Sequence, residues 1–223
     1  MIARVVSGGL IGLGLAIVAA IAINAFGGLA ARANPTWSPP NPDPSTRVAI
    51  VNGEAVPWSA VAEQLHGAEM MGQPAAANPD EWRRRVLATI DSIIGDVLTR
   101  QYVEAQGLVV TPELIDAEIA KLEARYGGPD ALRRAMDEMH VTMAQLRETQ
   151  RRGLYTQTLI DLVVPATDAQ IDAYLAQPGA AGMTRDEAAD RVRAEHAAEI
   201  VGPFLADLRS GAQLQLIDIA TLE

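Results

Sequence analysis

The sequence predicts a mainly α protein: an N-terminal transmembrane helix, a proline-rich spacer, and a helical domain that opens on a β-hairpin and ends on a strand. Three observations carry that reading. Val5 to Phe26 is an uncharged, largely apolar run of twenty-two residues, and about 20 apolar residues cross a bilayer as a helix. Residues 34–46, NPTWSPPNPDPST, hold five prolines in thirteen residues, which excludes a helix or a central strand. Beyond them, four N-cap residues with an acid or glutamine three positions on (Asn78/Glu81, Thr142/Gln145, Thr167/Gln170, Thr184/Glu187) open stretches with apolar residues at helical spacing.

Residues 1–33 are a membrane anchor or a signal segment. The apolar core exceeds the roughly 7–15 residues of a signal peptide, which favours a retained anchor; Ala31-Arg32-Ala33 supplies the cleavage-site pattern of the other reading. Either way the rest of the chain is carried across the membrane; Arg4 with the terminal amine favours an inside N-terminus, and Arg32 on the other flank weakens that bias. Gly8 and Gly12 have the spacing that lets two membrane helices approach, although glycine is common in such segments. Residues 34–46 read as a semi-extended linker rising about 3.1 Å per residue, with Trp37 placed at the lipid interface or simply within the linker.

Residues 47–223 form the domain. RVAIVNGEAV, from Arg47 to Val56, is a hairpin signal with Asn52-Gly53 as the turn. A helix follows from Pro57-Trp58-Ser59 through Leu65, then a loose stretch from Gly67 to Asn78. The next helix runs from Pro79 to about Ala105 and is capped by Gly107. Trp82, Val86, Leu87, Ile90, Ile93, Ile94, Val97, Leu98 and Tyr102 give it a broad apolar face, across which the central stretch, Gly107 to Val164, is expected to pack.

That central stretch reads as three helices. The first starts at Thr111-Pro112, carries Ile115, Ile119, Leu122 and Tyr126, and stops at Gly127-Gly128-Pro129. A short one carries Leu132, Met136 and Met139. The third opens at Thr142 and is stopped by Pro165. A short helix with Ile171, Tyr174 and Leu175 comes next, then a loop at 177–182, then a last helix with a kink or break expected at Gly202-Pro203. LQLIDI, Leu214 to Ile219, has strand character.

The charged helix, the GGPD turn, ALRRAMDEMHVT and MAQLRETQRRGLYTQTLID together resemble the N-terminal chaperone domain of SurA- and PrsA-type extracytoplasmic foldases. The resemblance extends from about Arg47 to Ala173 and resumes at about Val192. It implies that the C-terminal strand returns to pair with the opening hairpin, so that a small β-sheet closes the helical domain. In those proteins the chain usually passes into a parvulin prolyl-isomerase domain after the short helix at 168–175. Here only the loop 177–182 stands at that point, so the isomerase module is read as absent and no enzymatic activity is expected.

The residues agree with that expectation. His66, His140 and His196 have no partner at a metal-ligand spacing, and no nucleophile elbow, Walker loop or dinucleotide fingerprint is present. No catalytic, cofactor-binding or metal-binding residue is assigned, and no cofactor. Cysteine is absent, which removes disulfides and thiol chemistry. Without the first 46 residues, 16 basic and 27 acidic residues leave a formal charge of −11. Such a surface opposes a nucleic-acid partner and flat contact with anionic lipid.

The methionines are the candidate contact residues: Met70, Met71, Met136, Met139 and Met143. A flexible, polarizable side chain adapts to varied apolar partners; the plainer reading of Met136, Met139 and Met143 is that they fill gaps in the core. The expected function is a membrane-anchored, extracytoplasmic (periplasmic or cell-surface) chaperone-like protein. It would hold unfolded or nascent polypeptides in an apolar helical cradle. The alternative is an assembly subunit with one dedicated partner in a membrane complex; a prolyl isomerase is third.

Overall fold

The computed structural model describes residues 37–70 and 72–217. The apolar run read as a transmembrane or signal segment, the Gly8/Gly12 spacing, the Ala31-Arg32-Ala33 pattern, the start of the linker, Met71 and the strand residues expected after Ile217 lie outside them. Among the described residues no helix is long and apolar enough to cross a membrane.

The described chain is mainly α, with seven α-helices and a three-stranded antiparallel sheet. Strands β1 (Arg47–Val51) and β2 (Glu54–Pro57) are followed by α1 (Trp58–Met70), α2 (Pro79–Ala105), α3 (Pro112–Tyr126), α4 (Pro129–Glu138) and α5 (Met143–Val163). Then come α6 (Asp168–Leu175), a 3-10 turn (Pro178–Ala180), α7 (Arg185–Gly211) and β3 (Leu214–Leu216). Only residues 176–184 separate α6 from α7, so no further module is inserted there. The chain divides into two compact units, residues 37–155 with 205–217 and residues 156–204.

In the larger unit the sheet order is β2-β1-β3. Asn52 and Gly53 both have positive φ, 50° and 87°, the pair of values a two-residue primed hairpin turn requires. Ile50 lies opposite Ala55 on one side and Gln215 on the other, so the C-terminal strand does return to the hairpin. Asn52 fastens three segments. Its backbone N–H donates to the Gln213 carbonyl and its Oδ1 accepts from the Gln213 N–H, both at 2.9 Å. Its Nδ2 donates to Gln101 of α2 at 2.8 Å.

The main core joins Val48, Ala49, Val51 and Val56 of the hairpin to Trp58 and Val61 of α1 and to Trp82, Val86, Ile90, Ile93, Ile94 and Leu98 of α2. The Trp58 and Trp82 rings meet at 6.0 Å and 43°, a tilted aromatic pair. One expectation holds only in part. The sheet and α1 cover the broad face of α2 from Trp82 to Leu98, while the central stretch meets α2 through Tyr155 at Glu104 and Arg152 at Asp96 and builds its own cluster of Ile115, Ile119, Leu132 and Met136. The physical reason is proximity along the chain: the hairpin and α1 are joined to α2 by one short connection and reach its N-terminal two-thirds first.

The end of the linker is part of this unit. Trp58 and Ser59, at the start of α1, donate their N–H groups to the Thr46 and Pro44 carbonyls at 2.6 and 2.9 Å. Linker carbonyls thus take up helix donors that would otherwise be orphaned. Trp37 is partly buried against the main core.

The helix boundaries follow their sequence signals. Asn78 accepts from the Glu81 N–H at 2.9 Å while Glu81 accepts from the Ala77 N–H at 2.9 Å. Thr142/Gln145, Thr167/Gln170 and Thr184/Glu187 form reciprocal N-terminal boxes. Gly107 closes α2 with the paired bonds of a Schellman cap, from its own N–H to Glu104 and from Leu108 to Val103. His140, at φ 52°, closes α4 the same way where glycine is usual.

Two details differ from expectation. Thr111 makes no side-chain bond to the α3 backbone; its hydroxyl bonds the Glu113 carboxylate instead. And of the kink or break expected at Gly202-Pro203 the break does not occur: α7 is continuous through both residues. Proline removes one backbone bond, that to the carbonyl four residues back. Glu199 and Pro203 are both exposed, so water can replace the lost partner.

The smaller unit contains the end of α5, α6 and most of α7. Ile160 and Val164 pack with Ala197, and Ile171 packs with Ala188 and Ala189. Arg185 bonds both Asp168 and Asp172.

Candidate functional site

Helix α2 presents its buried residues at spacings of three and four: 82, 86, 90, 93/94 and 98. Leu87 sits one position round the helix from that row, about 100° away, and 51% of it is exposed. Beside it the sheet ends on β3, where Leu216 is 57% exposed. Between them lies a groove of about 390 Å³, lined by Val48, Leu87, Ile90, Ile94, Leu216 and Ile217. Asp91 and Arg209, which form an ion pair, also line it. The lining is mainly apolar and open to solvent.

Polar contacts fix the far end of the same framework. Arg100 of α2 bonds Glu54 at the hairpin end and Glu104 one turn on. The Tyr155 hydroxyl of α5 donates to Glu104 Oε1 at 2.6 Å. Burial, reinforced by the Glu104 carboxylate, raises the Tyr155 pKa. Asp96 faces Arg152 at 3.6 Å; burial raises its pKa and the arginine opposes the rise. These groups join hairpin, α2 and α5 and are engaged with one another. They hold the scaffold, and no nucleophile with a neighbouring base emerges from them.

The methionines divide. Met136 is buried in the core of the central helices, where it fills the space among Ile115, Ile119 and Leu132. Met139 and Met143 flank the turn between α4 and α5 and are 40% and 46% exposed. Met70 ends α1 and is 41% exposed; it stands on a different element from the other three. Met71 lies outside the described residues.

Among the described residues no group of three or more His, Asp or Glu side chains is gathered as a metal site. His66 and His140 are exposed, and His196 Nδ1 lies 2.8 Å from the Val192 carbonyl of its own helix. The sequence pattern places Leu87 on the buried face of α2, whereas the structure leaves it exposed at the margin of the groove. The signals were present: Leu87 follows Val86 at the margin of the apolar stripe, and the alternation of LQLIDI breaks at the adjacent Leu216 and Ile217. Two adjacent apolar residues in a strand point to opposite faces.

The sequence matches the SurA-like N-terminal domain family over residues 8–160. No parvulin domain is detected. No curated protein matches the chain. Among solved structures, it is similar to one from work describing PEB4 and Cj1289 as structurally related SurA-like chaperones of Campylobacter jejuni. That match has a TM-score of 0.47 at 10% identity and covers 78% of this chain and 99% of the other.

Proposed function

This chain belongs to the SurA-like N-terminal domain family, and on that premise we propose that it is a membrane-anchored, extracytoplasmic chaperone-like protein. It binds exposed apolar segments of unfolded or partly folded polypeptides and releases them without covalent chemistry or a nucleotide. The observation that carries the proposal is the open apolar groove with Leu87 and Leu216 at its margins. A soluble surface rarely leaves such residues grouped without use. Met70, Met139 and Met143 are further candidate contacts, supported by their exposure, and Met71 is a candidate by sequence. Met136 supports the core beneath the α4–α5 turn.

The N-terminal apolar run would hold this domain at the membrane, and its acidic charge would keep it soluble and favour basic or polar-flanked clients. The test is aggregation suppression by the detergent-solubilised full chain, with two unrelated clients unfolded by heat and by dilution from urea. Suppression of both at near-stoichiometric ratios is expected. No effect on either would refute general client holding and support a single dedicated partner in a membrane complex. Measurable acceleration of prolyl isomerisation in a peptide substrate would overturn the non-enzymatic reading.

A further inference from the structure

The outer edge of β3 carries a feature that side-chain exposure alone does not describe. The Asn52 N–H bonds the Gln213 carbonyl, and the Ile217 N–H bonds the Val48 carbonyl at 3.1 Å. With Ile50 opposite Gln215, the residues whose backbone groups face β1 are 213, 215 and 217. In an antiparallel pair the alternate residues turn their N–H and C=O the other way. Leu214 and Leu216 therefore present two N–H donors and two C=O acceptors outward. The sheet ends at β3, and among the described residues no hydrogen bond takes these four groups up. Alongside the Leu216–Ile217 end of this edge runs the groove, whose volume of about 390 Å³ lies at the low end of ligand pockets, roughly 300–1,000 Å³.

The geometry points to β-strand addition: an extended apolar polypeptide segment pairs with the β3 edge and lays alternate side chains into the groove between β3 and α2. The inference rests on the proposed client holding and specifies its chemistry. Backbone pairing supplies affinity without sequence preference, and the groove selects for an apolar residue at every second position. The size of the site decides the occupant. Three strand residues with four outward backbone groups fall far short of the roughly 1,200–2,000 Å² that stable protein pairs bury, so the edge suits one short segment held transiently and not a second copy of this chain.

The test uses the full chain in detergent and the fluorescently labelled peptide Ac-Lys-Val-Thr-Val-Thr-Val-Lys-NH2, with affinity read by anisotropy. Two N-methylated versions separate backbone pairing from simple apolar contact. One carries methyl groups on the valine nitrogens, the other on the threonine nitrogens. Alternate N–H groups of a bound strand face the edge, so one version should bind at least tenfold more weakly and the other within about threefold of the parent. Equal binding by both, or no binding of the parent, overturns the inference. If aggregation suppression persists in that case, client holding stands and only its mode is refuted. On the protein side, Leu216→Pro removes an outward donor at an edge position where proline is tolerated and should weaken the peptide at least tenfold. Should that variant fail to fold, Leu216→Lys keeps the backbone groups, places a charge on the edge and should give the same loss. Unchanged affinity in Leu216→Lys overturns the inference, as does a concentration-dependent dimer that the substitution abolishes.

Discussion

Replacing Tyr155 by Phe tests whether the polar contacts between hairpin, α2 and α5 stabilise the larger unit. The ring is buried and its hydroxyl donates to Glu104 at 2.6 Å; the substitution removes that donor and leaves the ring in place. A hydrogen bond to a charged group contributes about 1.5–3 kcal/mol. The upper part of that range does not apply. The Glu104 side chain is 35% exposed and keeps Arg100 at 3.1 Å, so water and the guanidinium compensate part of the loss. A cost of about 1.5 kcal/mol follows, equivalent to a fall in Tm of about 3–6 °C for a chain of this size. The assay is urea and thermal unfolding of Tyr155→Phe, Glu104→Gln and the double variant. A coupling of about 1 kcal/mol is expected from groups in direct contact; below about 0.3 kcal/mol, the hydroxyl and carboxylate act independently and the reasoning is wrong. The pH dependence adds a check. Burial first, and Glu104 next, raise the Tyr155 pKa above the usual 10.0. Stability from the protonated phenol is therefore fully present below that value and is lost as pH rises through the folded pKa. The phenylalanine variant should not show this alkaline loss.

Three further outcomes are expected. Ile94→Ala, at a fully buried position, should cost about 2–5 kcal/mol, whereas Leu87→Ala, seven residues earlier on the same helix, should stay within about 0.5 kcal/mol while reducing aggregation suppression. Thr167→Ala removes a complete capping box and should cost about 1 kcal/mol; Thr111→Ala, with no backbone bond to lose, should cost clearly less by urea denaturation. Acid titration should separate two sets of carboxyls. Backbone N–H groups of Ala77 and Thr184 lower Glu81 and Glu187 below the usual 4.5, so their stabilisation is present above that value and is lost as pH falls through the folded pKa. Burial raises Asp190 above 3.8, with Asp161 adding to it, so the charged form weighs against folding at neutral pH. Asp190→Asn should raise Tm at pH 7, and the gain should vanish near pH 3 where the native aspartate is itself neutral.

The parts of this fold that were legible in sequence are those set by neighbours within a few residues. Thr142 with Gln145, Thr167 with Gln170, and Asn52-Gly53 each carry their own hydrogen-bond geometry, and the structure realises all three. Long-range choices were not local. The apolar stripe of α2 does not say which partner covers it, and competition between the hairpin and the central helices was decided by chain connectivity. Leu87 is chemically the same as the buried Leu98, and its position about 100° round α2 from the buried row leaves it exposed. For the methionines, residue type singles out Met136, Met139 and Met143 alike; Met136 turns inward to the core of the central helices, while Met139 falls at the α4 cap and Met143 at the start of α5.

The pairing of β1 with β3 also sets an order of events during synthesis. Asn52 and its partner Gln213 are 161 positions apart. At about 5–20 residues per second, β1 emerges on the order of ten to thirty seconds before the strand that covers its second side. During that interval β2, α1 and α2 are already available, so the hairpin and its helices can assemble while one edge of β1 stays open. An open edge recruits other strands, and the central strand of this sheet is for that time as vulnerable as the chains such a domain would protect. The sheet can be completed only after Leu214 to Leu216 have been made.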